Sequence, residues 1–248
     1  SNAVPGLTTK MLSGIVDTIM LGFEDSRKYY KNPEKTVVTG TPVRGEFAQY
    51  TKKSAKAELG IPMDKPLVVS VWGSLGAENM NTVICGFIKL AGKNPGFTLI
   101  HSAGSEGYEE MVTQLRKTAP DYEKNGMDVR EYIYDMPRVM AAADLVLCRA
   151  GASTISELTY MHKPTIFVPS PFVTNNHQFK NAKVVEDAGG ALIFEEGWFE
   201  PKELLDAVKK ILSSEPEREK MSAAMEKLAM PEATDMICDR IFSLCESK

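Results

Sequence analysis

The chain has 248 residues, of which 43% are hydrophobic and 25% are charged, and its formal net charge is −4. This composition suits a globular protein, and the lack of a basic stripe excludes a nucleic-acid surface, so we expect no nucleic-acid partner. The apolar runs are strand-sized and too short to span a bilayer. The 4 cysteines form no C-x-x-C pair and have no metal-ligand spacing with the 3 histidines, so we expect reduced thiols, no metal and no cofactor.

The start of the chain does not follow the pattern of the rest. Residues 1–3 have the sequence Ser-Asn-Ala, which is typical of the remnant of a cleaved tag, and we leave them out of the fold prediction. Residues 4 to about 43 contain one helix-like stretch and one strand-like stretch at 18–21. We expect this segment to lie outside the repeating part of the fold.

From about residue 36, short β-branched runs alternate with amphipathic stretches, which is the pattern of βαβ units. Strands are predicted at 67–71, 97–100, 128–132, 145–148, 165–168 and 191–194. Helices, in which apolar residues recur every three and four positions, are predicted at 77–92, 108–118, 137–143, 154–161, 177–188 and 201–212. Several strands are apolar on both faces, so we predict a doubly wound, parallel, Rossmann-like sheet of the α/β class.

A last helix is predicted to open at Pro231 and to run through residues 231–248. Ile237, Ile241 and Leu244 recur at three and four positions along it, so it has an apolar face that another part of the protein must cover.

The loop that follows the first predicted strand of the repeat, Trp72–Ala77, contains Gly73, Ser74 and Gly76. Open α/β sheets bind ligands at the carboxyl ends of their strands, and glycines there allow a phosphate to approach the backbone and a helix N-terminus. A pyrophosphate could therefore bind in this loop. A tight turn that serves packing alone is an equally good interpretation.

The loop after the strand at 145–148 has the same layout, with small residues and hydroxyls from Arg149 to Glu157 before a helix. Thr154 and Glu157 have the spacing of a capping box, which would account for both side chains. The functional alternative is that the amides of residues 152–154 face a phosphate while the Glu157 carboxylate accepts hydrogen bonds from a ribose diol.

Two further strand ends carry candidate ligand contacts. Residues 175–178, Asn-Asn-His-Gln, offer neutral donors and acceptors suited to sugar hydroxyls, although His177 is also explained as a helix cap. Ile133, between Tyr132 and Tyr134, could pack on a flat base or could be ordinary core.

Four motifs, taken in chain order, resemble the MurG family of UDP-N-acetylglucosamine transferases. They are Pro42-Val43-Arg44, Gly73-Ser74-Leu75-Gly76-Ala77, the stretch from Arg149 to Glu157, and Asn176-His177-Gln178 followed by Asn181-Ala182. The resemblance covers nearly the whole chain, from Pro5 to the last helix. One departure is clear, because Trp72-Gly73-Ser74 occupies the place of the family's Gly-Gly-Ser.

The resemblance implies the C-terminal half of a two-domain GT-B glycosyltransferase. Residues 4–43 would be the tail of the acceptor domain with its linker, residues 44–230 the donor-binding domain, and residues 231–248 a helix that returns to the first domain. The acceptor domain, with the catalytic base, would not be in this sequence, so the catalytic residues stay unknown.

The family's donor contacts carry over to matching positions. Arg44 and Ser74 would contact the diphosphate region, with Gly73 and Gly76 in the phosphate loop, and Ile133 would lie beside the uracil. Glu157 would bind the ribose, and Gln178 with His177 would hold N-acetylglucosamine hydroxyls. Residues 152–154 would face the α-phosphate. The donor-binding stretch just before Glu157 comprises Ala152, Ser153, Thr154, Ile155 and Ser156.

The implied reaction is an inverting transfer of N-acetylglucosamine from UDP-N-acetylglucosamine to an undecaprenyl-linked muramoyl-pentapeptide in peptidoglycan synthesis, and hence in cell-wall formation, cell shape and division. UDP and its sugar conjugate would be ligands of this chain, and the lipid-linked acceptor would bind through the other domain. We expect a cytoplasmic protein whose full-length form is peripheral on the cytoplasmic face of the membrane. The isolated chain is expected to bind donor but to turn over little or nothing.

Two alternatives share the same ligand: an enzyme like UDP-N-acetylglucosamine 2-epimerase, and a non-catalytic nucleotide-sugar-binding subunit. A nicotinamide-binding domain is disfavoured because the dinucleotide G-x-G-x-x-G fingerprint is missing.

Overall fold

The computed structural model describes residues 1–73 and 76–246. Within these ranges, all strand pairings are parallel and the strands are β1 Ile19–Leu21, β2 Thr36–Val38, β3 Leu67–Val71, β4 Thr98–Ser102, β5 Met127–Arg130, β6 Leu145–Cys148, β7 Thr165–Phe167 and β8 Ala191–Ile193. The last six form one sheet in the order β5-β4-β3-β6-β7-β8, and β1 pairs with β2 in a separate ribbon. The predicted parallel α/β sheet is confirmed.

Helices cover both faces of the main sheet. In the same described ranges they are α1 Leu7–Leu12, α2 Lys52–Glu58, α3 Glu78–Ala91, α4 Tyr108–Thr118, α5 Met136–Ala142, α6 Ala152–Tyr160, α7 His177–Asp187, α8 Pro201–Ser213, α9 Glu215–Leu228 and α10 Ala233–Glu246. The predicted helices all form, with ends that differ by up to two residues. Two helices, α2 and α9, were not predicted.

The sheet is buried on both faces because the apolar side chains of each strand alternate between two cores. Val68 and Leu147 point into the core formed with α3, α4 and α8. Val69 and Val146, which are paired in the register of β3 and β6, belong to the core formed with α2, α5, α6 and α7. Helix α9 contributes a methionine to each core.

The N-terminal segment is a small unit of its own, in which Ile19, Leu21 and Tyr30 form a separate apolar cluster. Helix α10 contacts this unit, since Arg240 Nε donates to Thr18 Oγ1 at 3.3 Å. No helix among the described residues is long and apolar enough to cross a membrane.

Residues 1–3, which were left out of the fold prediction, pack against the main domain. The backbone N–H of Ala3 donates to the buried Asn181 Oδ1 at 2.8 Å. Asn181 Nδ2 in turn donates to Asn2 Oδ1 at 2.9 Å and to the Ala150 carbonyl at 3.2 Å. These bonds satisfy both ends of an amide that would otherwise be buried without partners.

Candidate functional site

A cavity of about 890 Å³ lies at the carboxyl ends of β3, β6 and their neighbours. The strand order reverses between β3 and β6, because β4 and β5 continue to one side while β7 and β8 continue to the other. The loops that leave β3 and β6 therefore diverge and open a crevice, which is where open α/β sheets bind ligands. No group of three or more His, Cys, Asp or Glu residues that could hold a metal ion is found in the described ranges.

One wall of the cavity lies where β3 leads into α3 and includes Gly73 and Gly76, two residues that we call the glycine turn. The Gly76 N–H donates to the Gly73 carbonyl at 3.2 Å, and both glycines have positive φ, +102° and +80°. Gly76 packs so closely on the end of β4 that a Cβ there would overlap the Ala103 carbonyl. Glycine is thus required at Gly76 by conformation and by space. Ser74, predicted to contact the diphosphate, lies outside the described residues.

The opposite wall is the N-terminal end of α6, where Gly151 and Thr154 line the cavity. Helix α6 begins at Ala152 after Gly151, no side chain caps it, and Ile155 is the residue whose N–H donates back to the Gly151 carbonyl. The predicted capping box of Thr154 and Glu157 is therefore wrong: the helix starts two residues earlier, because Gly151 serves as the N-cap. The amides of residues 152–154 precede the first helical hydrogen bond, so they are available to an anion.

Glu157 and Arg44 meet in this cavity although 112 residues separate them in the sequence. Arg44 Nη2 lies 3.6 Å from Glu157 Oε1, and the side chains are 59% and 22% exposed. Burial raises the pKa of the Glu157 carboxyl, and the Arg44 guanidinium opposes that rise. A half-buried carboxylate with one loosely held cation can accept hydrogen bonds from a ligand.

The cavity wall at the end of β5 is aromatic. Ile133 is buried and lines the cavity together with Tyr132 and Tyr134. The two tyrosine rings contact each other edge to face with centroids 4.9 Å apart. Ile133 thus belongs to the core and borders the cavity at once, so the two interpretations offered by the sequence do not exclude each other.

The loop from β7 to α7 supplies Ser170 and Phe172 to the cavity, and the first turn of α7 supplies Gln178. Gln178 Oε1 accepts from the Ser170 N–H at 2.9 Å, which fixes the side-chain amide across the loop. His177 does not line this cavity; its Nδ1 lies 3.0 Å from the Thr174 carbonyl and holds the turn that precedes α7. Both residues were predicted to contact the sugar, but only Gln178 lines the cavity.

The remaining predicted contacts of α6 lie elsewhere. Ile155 and Ser156 line a smaller cavity of about 210 Å³ against the N-terminal segment. Ala152 and Ser153 form the first turn of α6 and line neither cavity, so they could reach a ligand through their backbone amides.

A charged cluster at the cavity floor was given no role by the sequence. Arg149 Nη1 lies 2.5 Å from Glu196 Oε2, donates to the Val168 carbonyl at 3.0 Å, and its guanidinium stands over the Trp72 ring at 5.8 Å. Asn79 Nδ2 donates to Glu196 Oε1 at 3.1 Å. Arg149 was visible as the first residue after a buried strand, whereas nothing in the loop after β8 marks Glu196.

The strand-end cavity and the doubly wound sheet define an α/β ligand-binding domain. The model of the family "Glycosyltransferase family 28 C-terminal domain" matches residues 67–237, and the chain belongs to this family.

Relatives agree with this assignment. The chain is 37% identical over 247 residues to the UDP-N-acetylglucosamine–N-acetylmuramyl-(pentapeptide) pyrophosphoryl-undecaprenol N-acetylglucosamine transferase of Acetivibrio thermocellus, covering 100% of this chain and 66% of the relative. The crystal structure of Acinetobacter baumannii MurG matches with a TM-score of 0.75 and 27% identity, over 98% of this chain and 65% of that one. The resemblance to the MurG family is thereby confirmed.

A more distant structure shares the fold alone. The UDP-GlcNAc 2-epimerase of Neisseria meningitidis, solved with UDP-GlcNAc bound, matches with a TM-score of 0.68 at 14% identity, over 94% of this chain and 63% of that one. The chain thus spans about two thirds or less of the length of the proteins that it matches.

Proposed function

We propose that this chain is the donor-binding part of an inverting glycosyltransferase that moves N-acetylglucosamine from UDP-N-acetylglucosamine to an undecaprenyl-linked muramoyl-pentapeptide. The observation that carries the proposal is the convergence of Arg44, Ile133, Glu157 and Gln178, from four separate segments, on one cavity beside two helix N-termini. Its volume of about 890 Å³ is within the range of small-molecule sites.

The lining residues suggest an order for the parts of the donor. Ile133 and Tyr132 would pack on the uracil, and Glu157 would accept hydrogen bonds from the ribose hydroxyls. The diphosphate would lie between the glycine turn and the first turn of α6, where free amides and the helix dipoles favour negative charge. Gln178 would then face the sugar hydroxyls, with Ser170 fixing its orientation.

The same groups account for the chemistry expected of this part. When an acceptor hydroxyl attacks the anomeric carbon, negative charge develops on the departing UDP. Helix N-termini and the Arg44 guanidinium would stabilise that charge from fixed positions, which is electrostatic catalysis by a preorganised site. The acceptor site and the general base would come from the part of the relatives that this chain does not span.

We further propose that the complete enzyme works in the cytoplasm and associates peripherally with the cytoplasmic face of the membrane, where a lipid-linked acceptor is accessible. The support is the activity for which the Acetivibrio thermocellus relative is named, a transfer to pyrophosphoryl-undecaprenol.

Calorimetric titration of UDP, UDP-N-acetylglucosamine, UDP-glucose and NAD tests the donor site. We expect both UDP and UDP-N-acetylglucosamine to bind and NAD not to bind. Glu157→Ala should weaken UDP binding about tenfold, because a hydrogen-bonded carboxylate contributes about 1.5 kcal/mol or more.

The matched control is Glu46→Ala, which removes the other carboxylate near Arg44 without touching the cavity. Equal UDP affinity in wild type and Glu157→Ala would contradict the assignment of the ribose contact, and preference for NAD would contradict the proposed function.

A further inference from the structure

Beneath the glycine turn, four polar side chains form a hydrogen-bonded chain inside the apolar core. Trp72 Nε1 donates to Ser70 Oγ at 2.9 Å, and Ser70 Oγ lies 2.9 Å from His101 Nδ1. His101 Nε2 lies 3.2 Å from Asn81 Oδ1, and Asn81 Nδ2 donates to the Ala103 carbonyl at 2.9 Å. All of these residues are buried, and His101 is 0% exposed.

The two ends of this hydrogen-bond chain, together with the neutral state of the imidazole, fix its direction. A backbone carbonyl only accepts, so the Asn81 amide faces Ala103 as a donor and its oxygen must accept from His101 Nε2–H. At the other end the indole N–H only donates, so the Ser70 hydroxyl oxygen accepts from Trp72. Burial lowers the pKa of the His101 imidazole to about 3, against a hydrogen bond to the Ser70 backbone that raises it, so the ring is neutral. With its one proton on Nε2, His101 accepts at Nδ1 from the Ser70 hydroxyl.

The hydrogen-bond chain connects three elements that meet at the glycine turn. Ser70 is in β3 and Trp72 follows its last residue; His101 is in β4 and Ala103 follows its last residue. Asn81 is in the first turn of α3. The Ala103 carbonyl that ends the chain is also the atom on which Gly76 packs. A displacement of any member would therefore move the surface against which the turn rests.

The net contribution of such a chain to stability is small, since apolar side chains of similar size would fill the same core. The core cluster to which Trp72 belongs is otherwise apolar at Met80 and Ile84. What a fully satisfied polar network adds is a single geometry, because each member is held by directional bonds on two sides.

We propose that Trp72 and His101 are positioning residues that set the glycine turn at the height where its backbone contacts the diphosphate of the donor. The idea rests on the proposed function, and it gives the Trp72 indole a role as the first donor of the hydrogen-bond chain. Trp72 also presents its ring to Arg149 at the cavity floor.

The test compares the affinities of uridine and UDP, because the turn should affect the diphosphate part alone. Trp72→Phe keeps a ring beneath Arg149 and removes the first donor, and His101→Phe breaks the middle of the chain. We expect the ratio of UDP to uridine affinity to fall about threefold to tenfold in Trp72→Phe, as for one lost hydrogen bond, and further in His101→Phe. Uridine affinity should stay within about twofold of wild type.

Trp198→Phe is the matched control, since Trp198 is exposed on the loop before α8, and its ratio should equal that of wild type. If His101→Phe does not fold, Trp72→Phe decides the outcome. An unchanged ratio in folded Trp72→Phe, or an equal loss of uridine and UDP affinity, would refute the positioning role.

Nitrogen-15 NMR of the wild-type imidazole adds a readout that needs no ligand. We expect a protonated Nε2 and an unprotonated Nδ1 at neutral pH, and the reverse tautomer would also refute the chain. A wild-type protein that binds UDP no better than uridine would instead overturn the proposed function, and the inference with it.

Discussion

Two separate features of the structure demand a glycine at Gly76. Its φ of +80° lies in the left-handed region, and its Cα faces the backbone carbonyl of Ala103 without room for a side chain. The first demand costs an L-residue about 1–2 kcal/mol, and the second requires the end of β4 to move. The two demands can be separated because Gly60, after α2, has a similar φ of +68° and open space around it.

We therefore predict that Gly76→Ala destabilises the protein by about 2 kcal/mol or more and abolishes most UDP binding, since strain and overlap add. Gly60→Ala should cost about 1 kcal/mol from the backbone alone and leave UDP affinity unchanged. Urea unfolding and UDP titration of the two variants measure both effects. Equal stability losses would show that the contact with Ala103 relaxes freely.

Helix α5 illustrates how an element end is satisfied by a buried charge. Lys163 Nζ donates to the carbonyls of Ala141 and Ala143 at 2.8 and 3.0 Å, which are carbonyls at the C-terminal end of α5. Burial is the main cause that lowers the pKa of the Lys163 ammonium to about 7; the nearby cations Lys52 and Lys56 act in the same direction, and the Asp144 carboxylate opposes them. Lys163 thus caps α5, and the free energy that is needed to bury its ammonium group depends on pH.

The sign of that dependence follows from proton binding. Between pH 7 and the ordinary lysine value of 10.5, the unfolded chain holds the Lys163 proton and the folded chain has lost it, so stability rises with pH. We predict that the free energy of unfolding of the wild type, measured relative to that of Lys163→Met, rises by about 1 kcal/mol per pH unit from pH 7.5 to 9.

Taking the difference removes the titration of cysteines and tyrosines that both proteins share. Lys209→Met, at an exposed position of α8, is the control and should follow the wild-type profile. Chemical unfolding at a series of pH values gives the measurement, and parallel curves for wild type and Lys163→Met would contradict it.

The elements with strong local signals were predictable from the sequence. The strand Leu67–Val71 has the predicted ends because an apolar run is bounded by Pro66 and by a Trp-Gly pair. Helix α9 was missed because it is largely polar and contains Pro216, although proline is tolerated in a first turn. Helix α2 was missed because its seven residues have little apolar periodicity.

The site was less predictable than the fold. The Arg44–Glu157 pair depends on how a segment before the first strand of the main sheet folds over the end of β6, which no spacing in the sequence encodes. Motif resemblance suggested both residues, and the structure brings them within 3.6 Å. The pairing of Arg149 with Glu196 had no local signal, because it joins loops that follow different strands.

At the scale of the whole molecule, the reversal of strand order places the glycine turn and the α6 N-terminus on opposite walls of one cavity. The N-terminal segment contacts α10 through Thr18 and Arg240, and it lines a second, smaller cavity with Ile155 and Ser156 of α6. The exposed apolar residues Leu7, Met11 and Phe242, on α1 and α10, do not line the ligand cavity.

We predict that the isolated chain binds UDP-N-acetylglucosamine but transfers sugar to a lipid-linked acceptor at a negligible rate, because the acceptor site is proposed to lie in the part of the relatives outside this chain. A transfer assay with radiolabelled donor, run beside a full-length relative as positive control, measures this. Robust transfer by the isolated chain would mean that the acceptor site and base are within it.

The chain has 2 tryptophans, and they lie in opposite environments. Trp72 is 3% exposed at the wall of the cavity, while Trp198 is 85% exposed on the neighbouring loop. A collisional quencher dissolved in the buffer therefore reaches one indole and is shielded from the other. The emission that survives quenching comes from beside the glycine turn, so the protein carries its own optical reporter of what enters the crevice.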